Sequence, residues 1–476
     1  MISNIRLQTT AIHQRRHHLH KKLRLTTNIA YIFEKRHYFI SFLYFCTNLS
    51  HLHYQNHTMK KKKAADRKTE KDTNRRPATT TSTAKLSPLK KTIVGAQFLF
   101  VAFGATVLVP LLVGMDPSVA LFTAGIGTLI FHLITKGKVP IFLGSSFAFI
   151  APIIKATEIY GLPGTLCGLA AVGAVYGVMS ALIRLRGVKF ITNLFPPIVV
   201  GPVIMLIGLS LAGTGVNMAK ENWALAITAL LTTVAVSLFA KGLLKLIPIF
   251  AGIFVGYIAA TIFGLVDFQP VAEAAWFSLP QFVKPEFCWE AIIFMVPVAI
   301  APVIEHIGDV YAINEVTGND YAKDPGLHRT MLGDGVACMT ASLIGGPPVT
   351  TYSEVTGAIS LTKISDPSVL RIAALFGILF SVVGKMSALL KTIPGSVLGG
   401  IMLLLFGTIA SVGINTLIKH RVDMGDTRNL VIASLILILG IGGAEMTFGS
   451  MTIGGIGLAA LIGVILNLIL PKNKSK

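Results

Sequence analysis

From Ile93 onward the chain runs through apolar stretches, the longest of roughly 17 to 25 residues, separated by short polar turns. A hydrocarbon layer about 30 Å thick is crossed by about 20 helical residues. Backbone buried in that layer must satisfy its own hydrogen bonds, and a continuous apolar run does so as a helix. The pattern therefore dictates a bundle of membrane-spanning helices. Composition agrees, with 53% hydrophobic residues, 13% charged residues and a mean hydropathy of +0.69, whereas soluble domains carry about a quarter charged residues.

About 14 spans can be counted, the weaker ones at 142–154, 331–344 and 347–361. Basic clusters at Lys136 and Lys138, at Arg184, Arg186 and Lys189, at Lys241 and Lys245, and at Lys419, His420 and Arg421 follow the second, fourth, sixth and twelfth spans. They share a side with the basic N-terminal arm and the lysine-rich C-terminal tail. The positive-inside rule then places both termini in the cytoplasm of a multi-pass protein of the cell inner (plasma) membrane. The loop at 267–290, on the other side, carries Trp276 and Trp289, residues suited to the bilayer interface.

A net charge of +20 would fit a nucleic-acid binder, but its location removes that reading. Residues 1–91 hold 20 Lys and Arg against 4 Asp and Glu, and the remainder is close to neutral. Residues 1–91 are expected to form a basic, disordered arm, and Met59 offers an alternative start that would leave 1–58 outside the protein. No nucleic-acid partner is expected. Cys46, Cys167, Cys288 and Cys338 have neither disulfide-framework nor metal-ligand spacing. Gly384-Lys385 lacks the rest of a phosphate-binding loop. The expectation is a transporter driven by an ion gradient, with no cofactor, no metal and no enzymatic activity.

The chain also repeats itself. A shift of 198 residues sets Phe195-Pro196-Pro197-Ile198-Val199-Val200-Gly201 against Ile393-Pro394-Gly395-Ser396-Val397-Leu398-Gly399, and continues through Leu206 with Leu404, Ala212 with Ala410, Gly215 with Gly413 and Asn217 with Asn415. Seven spans between equivalents would invert one half relative to the other, an arrangement common in secondary transporters that bind substrate at broken helices near the midplane. Two segments are built to break. Residues 139–149 and 345–354 are short, β-prone and interrupted by Pro, Gly and Ser, which disfavour continuous helix and free backbone groups for other partners. The expected fold is an all-α polytopic membrane protein of about 14 segments in a 7+7 inverted repeat, with short β-strands in the broken third and tenth segments.

Ionisable residues at bilayer depth are costly and so mark function. Glu305 and Glu354 are the leading candidates. Asp309 lies one helical turn from Glu305 on the same face, while His306 points about 100° away. Asp334 and Tyr352 are secondary candidates, and Phe147 in the first broken segment is a candidate stacking wall.

Gly144-Ser145-Ser146-Phe147-Ala148-Phe149, Glu305-His306-Ile307-Gly308, Asp324-Pro325-Gly326-Leu327-His328-Arg329 and Thr350-Thr351-Tyr352-Ser353-Glu354 resemble, in that order, the bacterial uracil permeases of the nucleobase-ascorbate transporter family. The resemblance covers the chain from about Pro88 to the C-terminus. It implies proton symport of a nucleobase, foremost uracil, often by a homodimer. It also implies a core domain at 92–188 (spans 1–4) and 289–388 (spans 8–11), and a gate domain at 189–288 (spans 5–7) and 389–476 (spans 12–14). By resemblance Phe147, Glu305, Ser353 and Glu354 bind the base and Asp309 stands at a position associated with proton coupling; Glu305 and His306 are the other proton-coupling candidates. Ser353 stands where the uracil carriers have a glycine, and Val355 departs from the Asn of the family signature. Asp309 replaces a histidine, and with Asp334 looks more like the xanthine and purine branch. An anion transporter of similar architecture is a further reading, although two acidic site candidates speak against it.

Overall fold

The computed structural model describes residues 87–448 and 451–471. The expected N-terminal arm therefore lies almost entirely outside the described residues. Their order fits fourteen membrane segments in two sets of seven. Among the described residues, six helices are long and apolar enough to cross a membrane, five more are shorter apolar helices, and span 10 is the strand Val349–Thr351 continued by the helix Ser353–Thr362. Spans 1 and 2 are Pro88–Val113 and Pro117–Ile134, spans 6 and 7 Trp223–Phe239 and Pro248–Ile262, span 9 Leu327–Ile344, span 11 Pro367–Ser381, span 12 Gly395–Lys419, and spans 13 and 14 Thr427–Ile441 and Gly455–Ile469. Span 5 is Pro197–Ser210 continued by Ala212–Glu221, and span 8 is Trp289–Met295 continued by Ile300–Thr317.

Local chemistry sets these boundaries. Ser87-Pro88, Asp116-Pro117 and Asp366-Pro367 each start a helix with a side-chain oxygen accepting a backbone N–H and proline in the first turn, where proline's missing donor is harmless. Spans 3 and 4 form one helix, Ile150–Arg186, interrupted at Gly161, whose φ of 69° is a conformation open to glycine. Two short helices that periodicity did not predict, Val188–Leu194 and Gly384–Lys391, link spans 4 to 5 and 11 to 12. A hairpin of Glu445–Phe448 with Met451–Gly454 between spans 13 and 14 was equally unforeseen.

The two interrupted segments meet. Strand β1 (Leu143–Ser145) pairs antiparallel with strand β2 (Val349–Thr351), with Gly144 opposite Thr350. Bonds from Ser146 N to Pro348 O (2.9 Å) and from Tyr352 N to Phe142 O (3.1 Å) extend the pairing at both ends. Neighbouring helices take up the remaining groups: Leu143 N donates to Thr128 Oγ1 at 2.9 Å, His132 Nε2 lies 2.8 Å from Ile141 O, and Ser145 Oγ donates to Thr106 O at 3.0 Å. Non-helical backbone at this depth is thus satisfied by protein.

Span 4 packs on spans 8 and 9, and span 11 on spans 1 and 2; span 12 packs on spans 5 and 6, and span 13 on spans 5 and 14. The 198-residue register recurs in the contacts between spans 5 and 12. A Cβ on Gly201 would meet Leu417 at 2.7 Å, and a Cβ on Gly399 would meet Ala219 N at 2.5 Å. Those contacts exchange under the shift, as do Gly413 with Met205 and Gly215 with Leu403. The repeat is therefore a pseudo-two-fold relation between two helices in close backbone contact.

Candidate functional site

Each strand runs directly into a helix start. After β1 comes the turn Phe147–Phe149 and then the helix from Ile150; after β2 comes the helix Ser353–Thr362. Helix starts expose unpaired N–H groups and carry a partial positive charge. The antiparallel pairing brings both starts to the edge of one cavity of about 790 Å³, lined by Phe147, Ala148, Ser353 and Glu354.

Span 8 supplies the facing wall. Glu305, Gly308 and Asp309 line the same cavity, as the one-turn spacing expected. Glu305, Gly308, Ser353 and Glu354 are exposed, in each case to this interior space, whereas Asp309 is buried. Thr351 Oγ1 donates to Asp309 Oδ2 at 2.6 Å, tying span 8 to β2. Tyr352 reaches the cavity edge, and its hydroxyl donates to Ser145 O at 2.8 Å, locking the second broken segment to the first.

Six of the candidates therefore meet: Phe147, Glu305, Asp309, Tyr352, Ser353 and Glu354. His306 and Asp334 are not among the cavity-lining residues. Both are fully buried behind span 8, with His306 Nδ1 3.0 Å from Asp334 Oδ2. That contact is close but imperfectly aligned as a hydrogen bond. His306 Nε2 lies 3.0 Å from Thr330 Oγ1.

The opposite wall was not foreseen residue by residue. Phe195, Val200 and Ile204 come from span 5 and its approach, and Thr408, Asn415 and Thr416 from span 12. The repeat had singled out these two helices, yet uncharged residues on apolar spans gave no further signal. The cavity continues to Lys419 and His420 at the far end of span 12. At the end formed by the β1–β2 platform it offers three carboxyl groups, two helix starts, the aromatic rings of Phe147 and Tyr352, and apolar walls. This is a pocket for a small, flat, polar molecule with both donors and acceptors. No group of three or more His, Cys, Asp or Glu able to hold a metal occurs among the described residues.

The family model described as Permease family, of the xanthine/uracil permease type, matches residues 89–448. The chain is 52% identical over 399 residues to the probable uracil permease of Haemophilus influenzae, covering 82% of this chain and 96% of that one. It is 45% identical to the uracil permease of Bacillus subtilis, covering 80% and 92%, and 38% identical to that of Escherichia coli K12, covering 80% and 92%. Among solved structures, the transmembrane domain of the cyanobacterial bicarbonate transporter BicA aligns with a TM-score of 0.54 at 15% identity, covering 80% of this chain and 97% of that one. The murine solute carrier 26 member A9 anion transporter in the inward-facing state aligns with a TM-score of 0.61 at 9% identity, covering 84% and 73%. These two share the fold alone. By sequence, the chain is a multi-pass membrane protein belonging to the Permease family.

Proposed function

We propose that the protein is a secondary active transporter that carries uracil across the membrane by symport with protons, through alternating access. The observation that carries this reading is the convergence of Glu305 and Glu354 on one interior cavity, beside two paired helix starts. Uracil offers two ring N–H donors and two carbonyl acceptors. An ionised carboxylate only accepts, so Glu354 takes an N–H; a protonated Glu305 can donate to a carbonyl as well as accept. The N–H groups at the start of Ser353–Thr362 and at Phe147–Ala148 suit the remaining carbonyl, and the Phe147 ring suits the face of the base. Proton and base then bind better together than apart, which is the thermodynamic content of symport.

The 38–52% identity to uracil permeases supports the same substrate. Spans 1–4 and 8–11 form the core domain that carries the base, and spans 5–7 and 12–14 the gate domain against which it moves. The membrane is the inner (plasma) membrane, with both termini cytoplasmic, lipid around the bundle and a homodimer as the assembly. Asp309 and Asp334 favour a second reading, a xanthine or purine proton symporter. An anion transporter would want a cationic site, and the platform end of this cavity is acidic.

Uptake into proteoliposomes tests the proposal. An inward proton gradient should drive uphill accumulation of labelled uracil, and competition by xanthine, hypoxanthine and thymine ranks the bases. Passive ion conductance without uracil accumulation overturns the symporter, and stronger competition by xanthine than by uracil overturns the choice of base.

A further inference from the structure

The buried pair behind the site has a proton count fixed by its neighbours. The Thr330 hydroxyl carries one hydrogen, and it lies 2.9 Å from Leu327 O, which can only accept. Both contacts of that hydroxyl are satisfied only when His306 Nε2 bears the proton and donates to Thr330 Oγ1. One proton then lies between His306 Nδ1 and Asp334 Oδ2, 3.0 Å apart. On either partner it leaves the pair with no net charge. Gaining or losing a proton would place a full charge where both side chains have 0% exposure, at a cost that burial makes large.

The surroundings supply no opposite charge. The other titratable side chains acting on Asp334 or sharing its surroundings are Asp309 and Glu305 of span 8, Tyr176 of span 4 and Cys338 of span 9, and the Thr350 hydroxyl of β2 is a further polar neighbour. Among the described residues, no Lys or Arg ion pair reaches this cluster. The neighbouring residue on span 8, by contrast, is Glu305, which faces open cavity.

We infer that His306, Asp334 and Thr330 are positioning residues for the base-binding face of span 8, not carriers of the transported proton. The pair fixes the rotation of Ile300–Thr317 against Leu327–Ile344, so that Glu305, Gly308 and Asp309 point into the cavity. The inference rests on the proposed role of Glu305, and it removes His306 from the proton-coupling candidates.

The test compares wild type with His306→Ala, Asp334→Ala and the double variant His306→Gln/Asp334→Asn, which keeps a neutral, hydrogen-bonded pair. Uracil uptake, its pH profile and the proton-to-uracil ratio are measured in proteoliposomes. The alanine variants should raise KM for uracil by about tenfold or more, the scale on which misplaced binding groups act, with an unchanged proton ratio. The double variant should recover most of that loss with a wild-type pH profile. A changed proton ratio or a displaced pH profile in the double variant overturns the inference. A wild type that fails to take up uracil refutes the proposed substrate, which is a separate result. A ligand-free readout stands beside it. A Cβ at Gly308 meets nothing within 4 Å, so Gly308→Cys should react with a soluble maleimide above the background of the unsubstituted chain. Adding Asp334→Ala should slow that reaction; equal labelling with and without the pair counts against a rotational role.

Discussion

Gly144→Ala should disable the platform from its centre. A Cβ built on Gly144 lies 2.4 and 2.5 Å from two ring carbons of Tyr352 and 2.7 Å from Thr106 Oγ1. The ring has little room to retreat, because Tyr352 is 4% exposed and is held by its hydroxyl to Ser145 O and by its amide to Phe142 O. Overpacking of this kind costs about 1–3 kcal/mol, and losing the tyrosine hydrogen bond adds about 1 kcal/mol. The expected total is about 2–4 kcal/mol, read in detergent as a fall in melting temperature of roughly 2–5 °C. Displaced strands also move both helix starts, so KM for uracil should rise more than the stability loss alone would explain. Gly177→Ala is the matched control. It sits in a helix with nothing within 4 Å of a new Cβ, and alanine there should be neutral or gain up to about 1 kcal/mol. Wild-type melting and wild-type KM in Gly144→Ala would refute the argument that strand pairing positions the site.

Glu305→Gln should abolish proton-driven accumulation while leaving uracil exchange measurable, because an amide hydrogen-bonds but does not take up the transported proton; full accumulation against a gradient would remove Glu305 from that role. Glu354→Gln should weaken uracil binding by about 1.5–3 kcal/mol, the worth of a hydrogen bond to a charged group, and shift competition toward xanthine; unchanged affinity by calorimetry would rule out direct contact. At the loop between spans 1 and 2, Asp116 accepts from Lys391 Nζ at 2.8 Å and Ser387 Oγ at 3.2 Å, tying the linker before span 12 to span 2. Burial pushes the Asp116 carboxyl up, but hydrogen bonds from Lys391 and Ser118 outweigh it and hold the group below its ordinary value. A depressed folded value means the stabilisation is complete above the ordinary carboxylate range and is lost as pH falls through the folded value. The melting difference between wild type and Asp116→Asn should therefore stay constant from pH 8 to 5 and shrink only below about pH 4; a difference that already shrinks near pH 6 would show that another group controls this contact.

Much of this arrangement was legible in the residues. Continuous apolar runs specified helices, and Pro140, Gly144, Pro347 and Pro348 marked where helix fails. The repeat put one such failure in each half, and their pairing gives each three-residue strand the partner it would otherwise lack inside a bilayer. The one-turn spacing of Glu305 and Asp309 placed both on one wall. Other features were hidden for physical reasons. Whether His306 faces the cavity or span 9 depends on helix rotation, and its 100° offset from Glu305 fits either outcome. The wall formed by Thr408, Asn415 and Thr416 is ordinary in composition, since polar uncharged residues on an apolar helix bond equally well to their own backbone. The linker helices Val188–Leu194 and Gly384–Lys391 are too short for a periodic signal to stand out.

The exchange of contacts between spans 5 and 12 bears on why the site lies where it does. Gly201 against Leu417 and Gly399 against Ala219 are the same contact seen from the two ends of a pseudo-two-fold axis. An axis of this kind runs in the membrane plane when the repeats are inverted, so structures lying on it are equally distant from both surfaces. The pairing of β1 with β2 is antiparallel, with its central pair at Gly144 and Thr350, and an antiparallel pair is itself two-fold about its centre. Two helix starts placed by that pairing point toward one locus from opposite halves. The side chains differ: Phe147 follows one strand, and Ser353 and Glu354 follow the other. The paired backbone thus supplies one site shared by the two halves, and the asymmetric side chains give that site a direction. Charge at that locus comes from one half: Glu305, Asp309 and Glu354 all belong to the second, and none of Ser145, Ser146 and Phe147 is acidic.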